Sequence, residues 1–438
     1  MLQAVVNAFR IPDLRRKILF TLAMLVIFRF IASIPVPGVD RDGLQEFIRS
    51  NQLLGVLNAF SGSGLQNFSV AALGVYPYIT ASIIMQLMTP IVPRLTELSN
   101  EGQQGRNRIN QYTHWLTVPL ALLQGYGQAV LFSQQQSPNG GTLLEGFDLF
   151  RGETFLPTLA ILLSMTAGTM LLVWIGELIT ENGIGNGISI IIFGGIVASL
   201  PGSLGSLVTG SSVGQNVMGT IMFALIGLLT IVGIVLINEG QRRIPVHHAK
   251  RVRAGRQYGG NTTFIPLKVN SAGMIPLIFA VSIMVFPGLL AQFLASSDRE
   301  WLRNFAGDLA QFLGPNTVQY NIIYFLMVVG FTYFYTMVIF QQQKIPENLQ
   351  RQGAFIPGVR PGKNTAQYLQ RVLNRITLVG ALFLGLVAIL PFIASRLTGV
   401  NTLLLSATSL LIVVGVAIDT MRQLEAQLMM RNYEGFIR

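Results

Sequence analysis

Apolar runs long enough to cross a bilayer recur along the whole of this 438-residue chain, and no other feature limits its fold so sharply. A membrane-spanning helix needs about 20 mostly apolar residues. Ten such runs are read, the strongest at 18–34, 155–176, 219–237, 272–294, 320–340 and 376–394. Weaker ones at 75–92, 115–132, 184–200 and 402–418 are interrupted by Pro, Gly, Gln or clustered hydroxyl residues. About a quarter of a soluble domain is charged, whereas here 11% of residues are charged and 51% are apolar. The surplus apolar surface needs hydrocarbon as its solvent. The first run ends in Ile34-Pro35-Val36-Pro37-Gly38 without a small-residue cleavage pattern, so it is expected to stay as helix one rather than be removed as a signal peptide. The absence of cysteine excludes disulfide scaffolds, thiolate metal sites and cysteine nucleophiles.

The positive residues orient the spans. Summed over alternate loops, Lys and Arg number 23 on the side that holds both termini and 6 on the other. By the positive-inside rule both termini are cytoplasmic. Loop 177–183 carries Glu177 and Glu181 with no Lys or Arg, and only its neighbours place it. Arg29 lies inside the first span, about five residues from its outer end, where a long side chain is expected to snorkel to the interface.

Ten spans divide into two sets of five, and because five is odd a duplicated half would be inverted in the membrane. The uncharged stretch 201–214, with four Gly and four Ser, reads as a hinge between halves 1–207 and 208–438. Spans two and seven then correspond. Proline punctuates both, at Pro77 in one and at Pro276 and Pro287 in the other. Thr80 and Gln86 on span two, with Asn270 and Ser282 on span seven, carry hydrogen-bonding groups where lipid offers none, and together they lean toward a gate. Residues 57–74 are too short and too Gly/Ser-rich to cross; they read as a re-entrant segment lodged in protein or as an exposed outer loop.

Catalysis has no candidate site. Gly210-Ser211-Ser212-Val213-Gly214 has the spacing of a nucleophile elbow but sits in the hinge, without the strand and helix that such a turn requires. His247 and His248 are adjacent, the wrong spacing for a helical metal pair, and no metal or cofactor is expected. Apart from Arg29 the spans hold no charge, which argues against proton coupling. Inverted repeats still leave room for a secondary transporter of a small solute. Two basic loops remain. Residues 238–271 carry seven Lys or Arg against one acid, and 341–375 carry six against one. Such loops set topology, touch anionic lipid or dock an acidic partner such as RNA or a protein surface.

Four segments in order carry a resemblance along nearly the whole chain: Gly74-Val75-Tyr76-Pro77-Tyr78-Ile79-Thr80-Ala81-Ser82-Ile83-Ile84-Met85-Gln86-Leu87, Gly183-Ile184-Gly185-Asn186-Gly187-Ile188-Ser189-Ile190-Ile191-Ile192, Pro266-Leu267-Lys268-Val269-Asn270, and Gly353-Ala354-Phe355-Ile356-Pro357-Gly358-Val359-Arg360-Pro361-Gly362. They resemble the SecY family, the channel subunits of bacterial protein translocons. The resemblance implies an all-α polytopic channel of two inverted five-helix halves closed like a clamshell, passing unfolded secretory polypeptides and releasing hydrophobic helices sideways into lipid. It implies a plug near 59–72, including Phe60, Ser61, Gly62, Leu65 and Phe68, and a lateral gate with Thr80, Gln86 and Asn270. The family's pore ring falls on Val75, Ile79, Ile188, Ile192, Ile278 and Ile412, with Val75 where isoleucine is common. Arg243, Lys250, Arg251, Arg256 and Arg360 fall on the loops that receive the SecA motor or the ribosome, and SecE, SecG and anionic lipids are the implied membrane partners. No nucleotide site is implied on the channel itself.

Overall fold

Where described, each of the ten apolar runs lies largely on an α-helix, although short stretches such as 89–92, 184–186 and 272–273 fall outside the helices. The computed structural model describes residues 9, 11–36, 39, 41–50, 58, 61–133, 143–144, 147, 154–209, 217–248, 251–253, 256–258, 262–273, 275–295, 300–312, 314, 317–398 and 404–434. In chain order the helices are α1 (Pro12–Ser33), α2 (Arg41–Ser50), α3 (Tyr76–Met88), α4 (Pro93–Asn100), α5 (Gln103–Ser133), α6 (Phe155–Asn182), α7 (Gly187–Thr209) and α8 (Val217–Glu239). After strands β1 (Gln241–His248), β2 (Arg251–Arg253), β3 (Arg256–Tyr258) and β4 (Thr262–Lys268) come α9 (Ile275–Ala295), α10 (Glu300–Phe312), α11 (Val318–Gln343) and α12 (Ile345–Arg351). Strand β5 (Ala354–Phe355) precedes α13 (Lys363–Thr398) and α14 (Leu404–Glu434). Among the described residues four helices, α5, α6, α11 and α13, are long and apolar enough to cross a membrane, and α7, α8 and α9 hold shorter apolar stretches.

The helices show their solvent by what they leave uncovered. α8 exposes Leu225, Leu228, Leu229, Val232 and Leu236 along one face, and Leu228 is 64% accessible. A stripe of that kind is an aggregation surface in water and a lipid contact in a bilayer. Three buried threonine hydroxyls are satisfied within their own helices: Thr117, Thr166 and Thr332 each donate to the carbonyl four residues earlier, at 2.7–2.8 Å. In hydrocarbon that bond is the nearest available partner. α7 runs helically through Pro201 to Thr209, so the first part of the expected hinge is helix, while 210–216 lie outside the described residues. The reason is the same solvent: a backbone that leaves the helix in lipid forfeits its hydrogen bonds.

The chain divides into two compact units. The first comprises Met1–Val217, Ser282–Tyr320 and Val416–Arg438, and the second Met218–Val281 and Asn321–Gly415. In the first, α1 packs on α6 and α7, α3 on α5, α5 on α6 and α6 on α7. Small residues permit the closest crossing, since a Cβ built on Gly187 would lie 1.7 Å from the Gly176 carbonyl oxygen. In the second unit β1 pairs antiparallel with both β4 and β5, giving the order β4-β1-β5. Ile244, Val246 and Leu267 of the first basic loop pack in one core with Leu349, Ala354 and Ile356 of the second and Leu369 and Leu373 of α13. Among the described residues the strands are therefore confined to the loops, on an otherwise helical chain.

Replacing Gly187 with alanine is expected to cost about 1–3 kcal/mol by forcing α7 off α6. Gly227→Ala, whose Cβ would meet nothing within 4 Å, is the matched control. Thermal unfolding in lipid nanodiscs checks this. Equal midpoints for the two variants would contradict the close crossing.

Candidate functional site

The re-entrant stretch is the most constrained part of the first unit. Residues 61–75 form successive turns and make no regular helix, yet Ser61, Leu65, Phe68, Ser69, Ala71, Ala72 and Leu73 are all buried. Irregular backbone survives at membrane depth only if protein satisfies it, and here it does. The Val36 N–H donates to the Phe68 carbonyl at 2.9 Å and the Val70 N–H to the Ile34 carbonyl at 3.0 Å. Side chains supply further partners: the Leu65 N–H donates to Ser61 Oγ at 3.0 Å and the Gln66 N–H to Asn58 Oδ1 at 2.8 Å. Phe68 meets the ring of Phe132 edge-on at 5.5 Å, and a Cβ on Gly168 would collide with the Val70 carbonyl at 2.0 Å. Of the expected plug residues, Ser61, Gly62, Leu65 and Phe68 are thus brought together, and Phe60 lies outside the described residues.

Arg29 has a protein partner that the snorkelling expectation did not include: its guanidinium donates to the Gly62 carbonyl of the buried stretch. A carbonyl already fixed near the span offers a protein partner that replaces water.

Val75 caps α3, Ile79 lies in its first turn and Ile192 lies on α7; all three are buried, as are Ile278 on α9 and Ile412 on α14. Ile188 is half-buried, and its Cδ1 would lie 2.6 Å from a Cβ on Gly176. None of the six presents an exposed side chain, unlike Leu228. The gate residues divide differently. The Thr80 hydroxyl is spent on the Tyr76 carbonyl at 3.0 Å. Gln86 donates to Ser82 Oγ at 3.2 Å and Asn270 donates to Asn238 Oδ1 at 2.8 Å and the Gly273 carbonyl at 3.0 Å, while each keeps a buried amide oxygen with no hydrogen bond.

Two features escaped the sequence reading. The Tyr76 hydroxyl donates to the Ser282 main-chain carbonyl at 2.6 Å, linking α3 to α9 across 206 residues. Pro287 inside α9 removes one donor from that part of the helix, a signal that loosened carbonyls were nearby. The second is a polar cluster joining α3, α5 and α6. Asn110 donates to Glu177 Oε1 at 3.0 Å, His114 Nε2 lies 2.9 Å from the same oxygen, and Tyr78 contacts the His114 ring edge-on. Asn110 and His114 are four residues apart, on one helix face, which was the available clue. The stretch 177–183, expected as a loop, is helical as far as Asn182 because α6 runs on through it, and the cluster ties its Glu177 to the basic 93–114 stretch.

The basic residues sit where the two loops share a core. Arg243 is exposed on β1, opposite Pro266 of β4. Arg360 is exposed in the turn between Gly358 (φ +78) and Gly362 (φ +98), and its carbonyl accepts from Thr365 Oγ1 at 2.9 Å. Arg251 and Arg256 belong to the β2/β3 pair, and Lys250 lies outside the described residues.

Apolar helices with exposed aliphatic faces, and a buried non-helical segment held by protein hydrogen bonds, define a multi-pass helical membrane protein. The family model described as SecY matches residues 69–421. A protein translocase subunit SecY of Streptomyces galbus is 44% identical over 445 residues, covering 100% of both chains. That of Mycobacterium tuberculosis is 42% identical over 455 residues, again covering 100% of both. Among solved structures the chain is similar to a protein conducting channel, with a TM-score of 0.61 at 18% identity over 94% of this chain and 92% of that one. It is also similar to a SecY whose plug domain stabilises the closed channel, with a TM-score of 0.59 at 18% identity, and to Sec61 of a canine ribosome-channel complex, at 0.58 and 17%; each covers 94% of this chain and 92% of its own. At such identities the structures speak for the fold. This chain belongs to the SecY family.

Tyr76→Phe removes the one hydroxyl bonded to the Ser282 carbonyl and is expected to cost roughly 0.5–1.5 kcal/mol of stability. The midpoint of thermal unfolding reads it, and a midpoint equal to that of the parent chain would deny the bond any weight.

Proposed function

We propose that this chain is the channel subunit of a bacterial protein translocase, passing unfolded polypeptides across the membrane and releasing hydrophobic helices sideways. The full-length match to translocase subunits named SecY carries the reading. Such a subunit is a conduit and not an enzyme, so the driving energy comes from a partner that pushes the chain or from the membrane potential.

The residues support a mechanism. Val75, Ile79, Ile188, Ile192, Ile278 and Ile412 form the constriction, in which aliphatic side chains exclude water when empty and yield to any residue because they make no directional bonds. The buried segment near 59–72 is the plug that seals it, as the plug domain of a similar SecY is described to do. The lateral gate runs between α3 and α9. Opening breaks the Tyr76–Ser282 hydrogen bond, and the unpaired amide oxygens of Gln86 and Asn270 accept donors from a passing helix. Halves 1–207 and 208–438, related by inversion, move about the junction near 201–214.

The joined basic loops are the docking platform. Arg243, Lys250, Arg251, Arg256 and Arg360 receive the ribosome or the SecA motor, and a ribosome-bound Sec61 is among the similar structures. SecE and SecG complete the complex, anionic lipids surround it, and both termini face the cytoplasm of the bacterial plasma membrane. A secondary transporter of a small solute is not favoured by these relatives.

A photo-crosslinker at Ile79 or Ile192 is expected to capture a stalled secretory chain, whereas one at the lipid-exposed Leu228 is not. Equal yields at all three, or solute counterflow by the chain alone, would favour the transporter. Arg360→Glu is expected to reduce translocation at least about tenfold through lost charge-assisted contacts, with insertion and folding intact. Unchanged precursor transport would remove Arg360 from the platform.

A further inference from the structure

We propose that Arg29 is the tether of the plug, a positioning residue on the first span that sets how readily the buried segment leaves its seat. The proposal rests on the channel reading above. A charge inside a span is costly and normally faces protein, or escapes to the interface if its stem is long enough. Arg29 has that escape within reach and instead donates to the main-chain carbonyl of Gly62, thirty-three positions further on.

The receiving end is built for the contact. Gly62 takes a left-handed backbone (φ +64), and a Cβ there would lie 2.6 Å from Phe28 Cζ and 3.0 Å from the Gly195 Cα on α7. Phe28, next to Arg29 in sequence, is 1% exposed. Two adjacent residues of α1 therefore grip one glycine, the ring against its α-carbon and the guanidinium on its oxygen. Residues 57–74 contain no Asp or Glu, so a carbonyl dipole is what this stretch offers the cation at Gly62. Hydrogen bonds to charged groups are among the stronger ones. Methionine matches the length of the stem but ends in no donor, and lysine keeps a donor without the planar fork.

The native chain has no cysteine, so Ser61→Cys, at a position 1% exposed, reports plug departure cleanly. The full chain with its translocon partners is reconstituted in proteoliposomes, and maleimide labelling of that cysteine and resting ion leak are measured without precursor. Arg29→Met is expected to raise both roughly tenfold, the size of one charged hydrogen bond, with Arg29→Lys between parent and Met. Gly62→Ala attacks the same contact from the plug side and is expected to raise both in the presence of Arg29. Parent-like labelling in folded Arg29→Met means that the side chain serves the interface, and overturns the tether. If the Met variant does not fold, parent-like labelling in both Arg29→Lys and Gly62→Ala overturns it equally. Labelling needs no transport, so failure of the parent to translocate a precursor would count against the channel reading and leave the tether standing.

Discussion

A bilayer core offers no hydrogen bonds, and the first unit is organised around that fact. Residues 61–75 bring non-helical backbone into a chain whose surface is made for lipid, and each polar group on it needs a protein partner. The segment leaving α1 supplies two main-chain bonds, Ser61 and Asn58 supply side-chain acceptors, and Arg29 supplies a donor. Glycines at positions 62 and 168 let the surrounding helices close on the segment without a Cβ in the way. If this segment is the proposed plug, a few discrete bonds hold it, and breaking them would release it.

The remaining working parts divide by the kind of force they use. The residues proposed as the ring use none that has direction, which suits a conduit for chains of any sequence. In the proposed mechanism selectivity is left to the gate, where one tyrosine hydroxyl holds a main-chain carbonyl and the buried amide oxygens of Gln86 and Asn270 have no hydrogen bond among the described residues. Docking, in the same proposal, is left to charge: an apolar core and strand pairing tie the two basic loops together, which would offer a partner a shaped surface rather than two loose tethers.

The helical, membrane-embedded class was legible in the sequence because twenty apolar residues in a row have few other uses, and the described part of each run lies largely on a helix. The re-entrant stretch was legible by its failure to fit either class, too apolar for a loop and too broken for a span. The proposed pore positions came from resemblance alone, because an isoleucine in a membrane protein looks the same whether it faces lipid, packing or a pore, whereas Thr80, Gln86 and Asn270 drew notice by carrying hydrogen-bonding groups on or beside apolar spans. What composition could not reach were pairings between distant residues. Tyr76 and Ser282 are 206 positions apart, and nothing local marks a tyrosine that will bond a main-chain carbonyl. The partner of Arg29 was missed because snorkelling weighs one side chain against the interface and ignores a carbonyl brought from elsewhere in the chain. The union of the basic loops depends on the short strand β5, two residues long, below what periodicity can register.

The most direct test of the account concerns the constriction, whose seal is attributed to apolar side chains that bond to nothing. Resting conductance should be recorded for the reconstituted complex carrying Ile192→Val, Ile192→Leu or Ile192→Asn, the last close in size to leucine but polar. If exclusion of water makes the seal, the asparagine variant leaks while the two aliphatic variants stay closed and still transport precursors of different sequence. A leak that follows side-chain volume alone, or transport that fails for some precursors in the leucine variant, would contradict it.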